Sequence, residues 1–291
     1  MKGIIIVNPF LVPKESTYFA ERLKTEFTLL GVDVEVISDS FLRTTLNNGK
    51  ICTDLKCDFA VYLDKDKYQS ALLARTGVRL FNSHDAIRAC DDKAITYIAL
   101  SMSNLNLPKT IFGGLCYRND LAVNKKWADD IGSQLGYPVI VKESFGSMGK
   151  GVYKADTPAD LIAIMKHVKL KPHLFQEYLG AVKGVDIRVI VIGGKAVAAM
   201  ERRNDNDFRS NVAQGGTGKA IELSPEFKLA AEKCARILRL DYCGVDLLFG
   251  NDGAPYVCEV NSNAFIGGIE SATGVNVAKT YVEHIIKEMS K

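Results

Sequence analysis

The chain of 291 residues is long enough for about two or three compact units, and 47% hydrophobic and 24% charged residues are typical of a globular protein. A net charge of +3, spread without a block of one sign, argues against nucleic acid or a membrane surface as a partner. The sequence has no recognisable signal peptide and no apolar run near about 18 residues. Its seven cysteines contain no Cys-x-x-Cys pair. Together these features predict a cytoplasmic protein with reduced thiols.

The N-terminal part, up to residue 81, alternates predicted strands and helices. Phe19, Leu23, Phe27 and Leu30 recur at helical spacing, and Gly31 stands where a helix C-terminal glycine belongs. The predicted strands are Gly3–Val7, Val32–Ile37, Phe59–Leu63 and Val78–Phe81, and a second helix is predicted at Tyr68–Arg75. Strands separated by helices predict a parallel sheet in an α/β layer.

The pattern changes to hairpins in the second half of the chain. A helix through Asp92–Ile98, another near Trp127–Leu135 and a strand at Val139–Lys142 come first. The later predicted elements are the strand pairs Ile187–Ile192 with Ala196–Met200, around Gly193-Gly194, and Leu247–Phe249 with Tyr256–Val260, and the helices Pro225–Leu238 and Val275–Met289. The sequence therefore predicts α+β structure behind an α/β leader.

A glycine-rich loop, Ser144–Gly151, follows the strand that ends at Lys142. Glycines let several backbone N–H groups turn toward one anion, which suits phosphate. The spacing is not that of a P-loop, and the next residues, Val152–Ala155, have the pattern of a strand rather than a helix. The loop is either a flap over nucleotide phosphates or a plain hairpin turn, and Lys142 favours the flap because it can reach phosphates beneath it.

The last predicted hairpin carries acidic side chains. If 251–254 form a four-residue loop, Gly250 lies opposite Pro255, and Asp246 lies opposite Glu259. Asn261 then shares a face with Glu259. Facing like charges destabilise a sheet, and such oxygen ligands suit Mg²⁺. The alternative is two solvated carboxylates on a surface hairpin.

Arginines and acidic residues cluster between these two segments. They comprise Asp186 and Arg188, Glu201–Arg203 and Asp207–Asn211. Arginine binds phosphate and carboxylate in bidentate fashion, although charged runs are often only solvated faces.

Taken together, these residues resemble the ATP-grasp superfamily and, within it, the RimK-type (alpha-L-glutamate ligase-like) carboxylate–amine ligases. The similarity extends from about Asn82 to Val277. The segments that carry it are Lys142 with Gly146–Gly151, Gln176–Leu179, Asp186–Arg188, Glu201–Arg203, Asp207–Asn211, Gly244–Leu248 and Glu259–Ser262.

The resemblance implies an ATP-grasp fold, mixed α/β and α+β, in three parts. These are an N-terminal α/β domain at residues 1–88, a small subdomain with the flap at 89–175, and a large subdomain at 176–291 whose antiparallel sheet holds the metal site.

It also implies roles for individual residues. The nucleotide-binding residues would be Lys93, Lys142, Gly146, Ser147, Met148, Gly149, Gly151, Glu177, Tyr178, Asp186, Arg188, Arg209, Ser210 and Asn211. Asp246, Glu259 and Asn261 would hold Mg²⁺, as two ions, with Mn²⁺ as a substitute. The four histidines lie outside every motif and are interpreted as incidental.

The implied reaction is ATP-dependent amide formation. A substrate carboxylate attacks the γ-phosphate, and an amine then displaces phosphate from the acyl-phosphate. Arg202 and Arg209 are the candidates for stabilising the developing charge. Two alternatives stay open: an ATP-grasp phosphotransferase acting on a non-carboxylate acceptor, and a nucleotide-binding module without catalysis. Buried like charges at Asp246 and Glu259 argue against the second.

One segment departs from the family pattern. Members that act on glutamate often carry Pro-Gly and Leu-Glu-Gly where this chain has Asn263–Gly268, which puts glutamate in doubt as the added amino acid. The expected substrates are a small carboxylate, peptide or protein terminus and an amino-acid amine. Relatives commonly form dimers or tetramers, so a homo-oligomer is expected.

Overall fold

The structure, a computed structural model, describes residues 1–10, 14–210 and 215–291. The N-terminal part forms a four-stranded parallel sheet in the order β2-β1-β5-β6. Its elements are β1 (Lys2–Val7), α1 (Lys14–Leu29), β2 (Asp33–Ile37), α2 (Ser40–Arg43), β3 (Thr44–Asn47), β4 (Lys50–Thr53), β5 (Phe59–Leu63), α3 (Lys67–Ala74) and β6 (Arg79–Phe81).

The predicted parallel sheet is therefore confirmed. Phe19, Leu23 and Phe27 of α1 are buried, as the helical spacing indicated, whereas Leu30 lies beyond the helix and is exposed. Gly31 follows with φ +73°, a left-handed conformation that glycine adopts without strain. The hairpin β3–β4 was not predicted, because its exposed side chains lack an alternating apolar pattern.

The middle of the chain forms a four-stranded antiparallel sheet in the order β7-β10-β8-β9. Its elements, with the two helices that precede them, are α4 (His84–Asp91), α5 (Lys93–Leu100), β7 (Thr110–Phe112), α6 (Lys125–Leu135), β8 (Val139–Glu143), β9 (Val152–Ala155), α7 (Pro158–Val168) and β10 (His173–Glu177). Helices α6 and α7 cover one face of this sheet with a small apolar core. Its strands β8 and β9 pair directly across the glycine loop.

The C-terminal part forms a five-stranded antiparallel sheet in the order β13-β12-β11-β14-β15. Its elements are β11 (Val185–Ile192), β12 (Lys195–Arg203), β13 (Thr217–Ala220), α8 (Pro225–Ile237), β14 (Tyr242–Phe249), β15 (Pro255–Asn261), α9 (Gly267–Thr273) and α10 (Val277–Met289). Gly193 and Gly194 have φ +55° and +75° and form the predicted two-residue turn. Strand β13 and helix α9 were not predicted.

The parallel sheet and the five-stranded sheet share one apolar core. Ile5 and Phe19 from the N-terminal part pack in the same cluster as Ile190, Tyr242 and Tyr281. Asn82, just after β6, donates its side-chain N–H groups to the carbonyls of Tyr242 and Ser262 at 2.8 and 2.9 Å, and the two regions are thereby joined. The boundaries at 88 and 175 remain predictions; the first lies within α4 and the second within β10. None of the helices in the described ranges is long and apolar enough to span a membrane.

Candidate active site

Strands β14 and β15 bring Asp246 and Glu259 opposite each other, as predicted. The predicted register was nevertheless wrong at the loop end, where Phe249 rather than Gly250 lies opposite Pro255. A β-bulge between Asp246 and Leu247 absorbs the one-residue difference, because Val257 pairs with Leu247 and Cys258 has no partner across the ladder. The acidic pair therefore depends on an irregularity that counting residues could not reveal.

Asp246 belongs to a buried chain of alternating charges that crosses the central strands. Both of its oxygens accept N–H groups of Arg188, at 2.7 Å each. Its Oδ2 also lies 2.8 Å from Nη2 of Arg202. Arg202 in turn donates to both oxygens of Asp186, with the Nε contact at 2.7 Å. The chain of charges thus runs Asp186, Arg202, Asp246, Arg188 along one face of the sheet.

Burial and neighbouring charge act against each other in this chain. Burial alone would raise the pKa of Asp246, but the guanidinium groups of Arg188 and Arg202 lower that pKa below its ordinary value. For Asp186, burial raises the pKa above its ordinary value, although the guanidinium group of Arg202 favours the charged form. Asp246 is therefore kept ionised more firmly than Asp186.

Glu259 is the more accessible member of the acidic pair. Its side chain is 22% exposed, and its Oε1 lies 3.5 Å from Nζ of Lys93. Asn261 pairs with Gly244 at the end of β15, and nearby Asn263 has a buried Oδ1 without a hydrogen-bond partner among the described residues. The sequence prediction grouped Asn261 with the two carboxylates, and the structure places it on the same strand as Glu259.

The donor set fits Mg²⁺ bound together with a nucleotide. Within residues 1–10, 14–210 and 215–291, no group of three or more His, Cys, Asp and Glu side chains is arranged to hold a metal ion. Mg²⁺ needs fewer, because it binds through one or two carboxylates, water and substrate phosphates. Glu259 is accessible, and Oδ1 of Asp246, which accepts Nε–H of Arg188, keeps a second lone pair. Two facing carboxylates beside a cleft therefore match this chemistry.

The glycine loop between β8 and β9 is held over the cleft at two backbone carbonyls. Nζ of Lys93 donates to the carbonyl of Gly146 at 2.9 Å. Nη1 of Arg209 donates to the carbonyl of Gly149 at 3.0 Å. Gly146 has φ +137°, a value that residues with side chains rarely adopt, which explains why a glycine stands there. The strand–loop–strand arrangement predicted for the flap is present.

Lys142 lies at the bottom of the cleft, at the end of β8. Its Nζ is 3.5 Å from the carbonyl oxygen and 3.8 Å from Sγ of Cys258. The same ammonium group lies 5.9 Å from the ring centroid of Tyr97. Lys93 and Lys142 therefore bring two cations to the acidic hairpin from α5 and β8.

The cleft is open to solvent, and its empty space, with the adjoining solvent counted, amounts to about 920 Å³. The predicted residues that line it are Lys93, Lys142, Ser147, Gly149, Glu177, Tyr178, Asp186, Arg202, Arg209, Ser210, Asp246 and Glu259. Glu177 accepts the backbone N–H of Lys109 at 2.7 Å, and Tyr178 has the ammonium group of Lys154 5.6 Å from its ring centroid. The structure thus brings most of the predicted set together.

Five predicted residues do not line the cleft: Gly146, Met148, Gly151, Arg188 and Asn261. For Arg188 the physical reason is plain, since its guanidinium group is bonded to both oxygens of Asp246. The assignment of Arg188 to the nucleotide site stays a prediction, and the contact that the structure shows for its guanidinium group is with Asp246. Asn211 lies outside the described residues. None of the four histidines lines the cleft in the described part of the chain.

Sequence reasoning missed the apolar walls of the cleft and the residues behind the acidic hairpin. The apolar walls include Ile140, Val152, Val182 and Leu248. Ile140, Val152 and Leu248 lie on strands, where apolar residues are ordinarily assigned to the core, so their pattern gave no signal of a ligand. Tyr97 and Cys258 were missed because their contacts join residues far apart in sequence.

Residues 65–285 match the RimK-like ATP-grasp domain family. The chain is 39% identical over 214 residues to a "Probable alpha-L-glutamate ligase" of Marinomonas sp. (strain MWYL1), covering 72% of this chain and 68% of that protein. It is 33% identical over 294 residues to a "Probable alpha-L-glutamate ligase 2" of Pseudoalteromonas atlantica (strain T6c / ATCC BAA-1087), covering 94% and 93%. In fold it is similar to a D-alanine–D-alanine ligase from Bacillus anthracis complexed with ATP, with TM-score 0.73, 20% identity, and 100% and 97% of the two chains covered.

Proposed function

Because this chain belongs to the RimK-like ATP-grasp family, we propose that it adds an acidic amino acid such as glutamate to a small-molecule or peptide carboxylate. The chain is an ATP-dependent carboxylate–amine ligase with an ATP-grasp fold, and enzymes of this family use ATP and Mg²⁺. The names of the two relatives support glutamate as the added amino acid. The identity of the acceptor is the part that experiment must supply.

The observation that carries the proposal is the placement of opposite charges around one cleft. Asp246 and Glu259 face each other on one wall, and Lys93 and Lys142 approach that wall from α5 and β8. The flap borders the same cleft, and Lys93 and Arg209 donate to its backbone carbonyls. A triphosphate with a bound cation suits this arrangement, because cations and carboxylates together balance its charge.

Asp246, Glu259 and Asn261 would hold Mg²⁺, and we extend the proposal to two ions, with Mn²⁺ as a substitute. When bound, Mg²⁺ withdraws charge from the phosphates of ATP. The protein's part is to keep the ligands ionised and fixed, and the guanidinium groups of Arg188 and Arg202 do this for Asp246. Lys93 also links the cation-binding wall to the flap, through Glu259 and the Gly146 carbonyl.

The remaining roles concern the reacting groups. The substrate carboxylate would attack the γ-phosphate and release ADP, giving an acyl-phosphate, and the amine would then attack the acyl carbon as phosphate leaves. Lys142 would bind the phosphates of ATP, and Arg209, which joins Asp207 to the flap, would stabilise the charge that develops on them. Arg202 lines the cleft between Asp186 and Asp246 and would contribute positive charge from the five-stranded sheet.

Phosphate release tests this proposal. The enzyme is incubated with ATP, Mg²⁺, a panel of amino acids that includes glutamate, and a panel of carboxylate acceptors. The masses of the products are then measured by mass spectrometry. Phosphate release with a product lighter by one water than the two substrates establishes the ligation and names both. A phosphorylated acceptor without condensation would instead identify a phosphotransferase. Glutamine in place of glutamate is the matched control, since it differs in a single charge.

The assembly state is a separate part of the proposal. A homo-oligomer, either a dimer or a tetramer, follows from the resemblance to the family. Light scattering coupled to size-exclusion chromatography measures it directly, and a mass equal to that of one chain would contradict it.

A further inference from the structure

The β-bulge at Cys258 determines where the carboxylate of Glu259 points. Leu247 pairs with Val257, so a regular ladder would continue with Asp246 opposite Cys258 and Val245 opposite Glu259. Val245 is fully buried in the core beneath α8, on the face away from the cleft. The extra residue instead moves Glu259 to the position opposite Asp246. Without the bulge, the cleft would lose one of its two facing carboxylates.

Two side chains contact the backbone at this bulge: Nζ of Lys142 lies 3.5 Å from the carbonyl oxygen of Cys258, and the hydroxyl of Tyr97 lies closer. The hydroxyl of Tyr97, on α5, donates toward the carbonyls of Cys258 at 2.8 Å and Val257 at 3.1 Å. Strand β15 is the edge of its sheet, so carbonyls on its outer side have no neighbouring strand to supply donors. Asn106 contacts the same edge: its backbone carbonyl accepts the N–H of Val257, and its side chain donates to the carbonyl of Pro255, further from the bulge.

The position of Tyr97 connects it to both active-site lysines. Tyr97 lies one helical turn after Lys93, so both side chains lie on the face of α5 that meets β15. Lys93 contacts the carboxylate of Glu259, while Tyr97 contacts the backbone just before it. The ring of Tyr97 also lies below the ammonium group of Lys142. Burial raises the pKa of Tyr97 above its ordinary value, so the hydroxyl keeps its proton and acts as a donor.

We propose that Tyr97 is a positioning residue for the metal site: its hydroxyl holds the β-bulge that aims Glu259 at the cation beside Asp246. This inference rests on the proposed assignment of Glu259 as a Mg²⁺ ligand. Tyr97 does not line the cleft and acts through the backbone of Val257 and Cys258. The distinguishing consequence is a change in metal affinity that exceeds any change in stability.

The test is Tyr97→Phe, which removes the hydroxyl and keeps the ring. The concentration of Mg²⁺ that gives half-maximal phosphate release should rise about fivefold, in keeping with the loss of a single hydrogen bond. Binding of Mn²⁺ in the presence of ADP, followed by electron paramagnetic resonance without turnover, should weaken by the same factor. KM for the amine substrate should stay within about twofold, because the proposed change is confined to the metal site.

Two control variants separate positioning from a general structural role. Tyr62→Phe makes the same chemical change at another buried tyrosine, whose hydroxyl donates to the carbonyl of Asp66 at 3.1 Å. Asn106→Ala removes a donor from the same edge strand, away from the bulge. Both should retain the metal affinity of the unmodified protein, while the thermal unfolding midpoints of Tyr62→Phe and Tyr97→Phe should fall by similar amounts.

Each outcome supports or overturns the inference. Unchanged Mn²⁺ affinity in Tyr97→Phe would overturn it, as would an equal loss in Asn106→Ala, which would indicate a general effect of the edge. Glu259→Gln separates the two proposals: if this variant keeps normal Mn²⁺ affinity, the metal assignment itself fails. If it loses that affinity while Tyr97→Phe does not, only the role of Tyr97 fails. Should Tyr97→Phe be recovered unfolded, Tyr97→Met fills the same site without a donor and is measured instead.

Discussion

The acidic wall and the flap face each other across one cleft but are built in opposite ways. Asp186, Arg202 and Asp246 are buried, and each is bonded to a charged neighbour on a strand of the five-stranded sheet. The flap consists largely of glycine and small residues, and the side chains of Lys93 and Arg209 hold two of its carbonyls. A rigid acidic wall and a weakly held flap suit a site that must admit and then enclose a nucleotide.

The two constructions have different energetic consequences. Buried charges in low dielectric depend strongly on one another, and removing one leaves its partners without compensation. A hydrogen bond from a long side chain to an accessible loop contributes far less to folding. Substitutions in the wall should therefore reduce both stability and activity, whereas substitutions in the flap should reduce activity alone.

Asp246→Asn should have the largest effect. Turnover should fall more than about a thousandfold, and the free energy of unfolding should decrease by about 3 kcal/mol, because Arg188 and Arg202 lose their shared negative partner. Phosphate release and urea unfolding measure the two quantities. Glu259→Gln is the matched control. Its turnover should fall by a similar factor, but its free energy of unfolding should stay within about 0.5 kcal/mol of that of the unmodified protein, since Glu259 is accessible. Normal turnover in either variant would refute the metal assignment.

Arg209→Ala should have the next largest effect. The guanidinium group joins the carboxylate of Asp207 to the flap carbonyl of Gly149, so its loss removes both the positive charge and the tether. We expect kcat/KM to fall about a hundredfold, with little change in unfolding. Arg209→Lys keeps the positive charge but lacks the planar guanidinium group, so its kcat/KM should lie between those of Arg209→Ala and the unmodified protein. A large loss of stability in Arg209→Ala would mean that the flap is part of the rigid wall.

Limited proteolysis compares the two regions in the unmodified protein. Lys150 lies exposed within the flap, and Lys56 lies exposed in the connection after β4. A nucleotide analogue with Mg²⁺ should slow tryptic cleavage after Lys150 about tenfold, because the closed flap opens less often. Cleavage after Lys56 should not change. Equal protection at both sites, or at neither, would argue against closure of the flap over the nucleotide.

Gly146→Ala should have the smallest effect on activity. A side chain at φ +137° is strained, and the added Cβ would lie 3.1 Å from the carbonyl oxygen of Lys150. We expect kcat/KM to fall about fivefold while the unfolding free energy stays within about 0.5 kcal/mol, because the exposed flap can shift locally to relieve the strain. Gly194→Ala, at φ +75° in the turn between β11 and β12, should show the reverse: about 1 kcal/mol of stability lost and normal activity. The same result for both variants would remove the distinction between flap and sheet.

The family and the fold could be recognised from short segments in their order along the chain. The resemblance to RimK-type ATP-grasp ligases is confirmed, and so is the mixed α/β and α+β architecture. Parallel strands near the N-terminus and the hairpin at Gly193-Gly194 followed from local patterns. The sequence prediction missed the hairpin β3–β4 and the strand β13. These largely exposed strands carry no alternating apolar pattern, and all four residues of β13 are exposed.

The sequence alone identified most of the charged residues that line the cleft, because strand alternation and glycine spacing are local properties that the chain keeps in any packing. Tertiary structure decided which of those charges meet. Arg188 contacts Asp246 because β11 pairs with β14 in one particular register, and Glu259 reaches the cleft because Tyr97, 162 residues earlier, contacts the bulge beside it. Such contacts depend on the relative positions of distant strands and helices, which no local pattern of residues specifies.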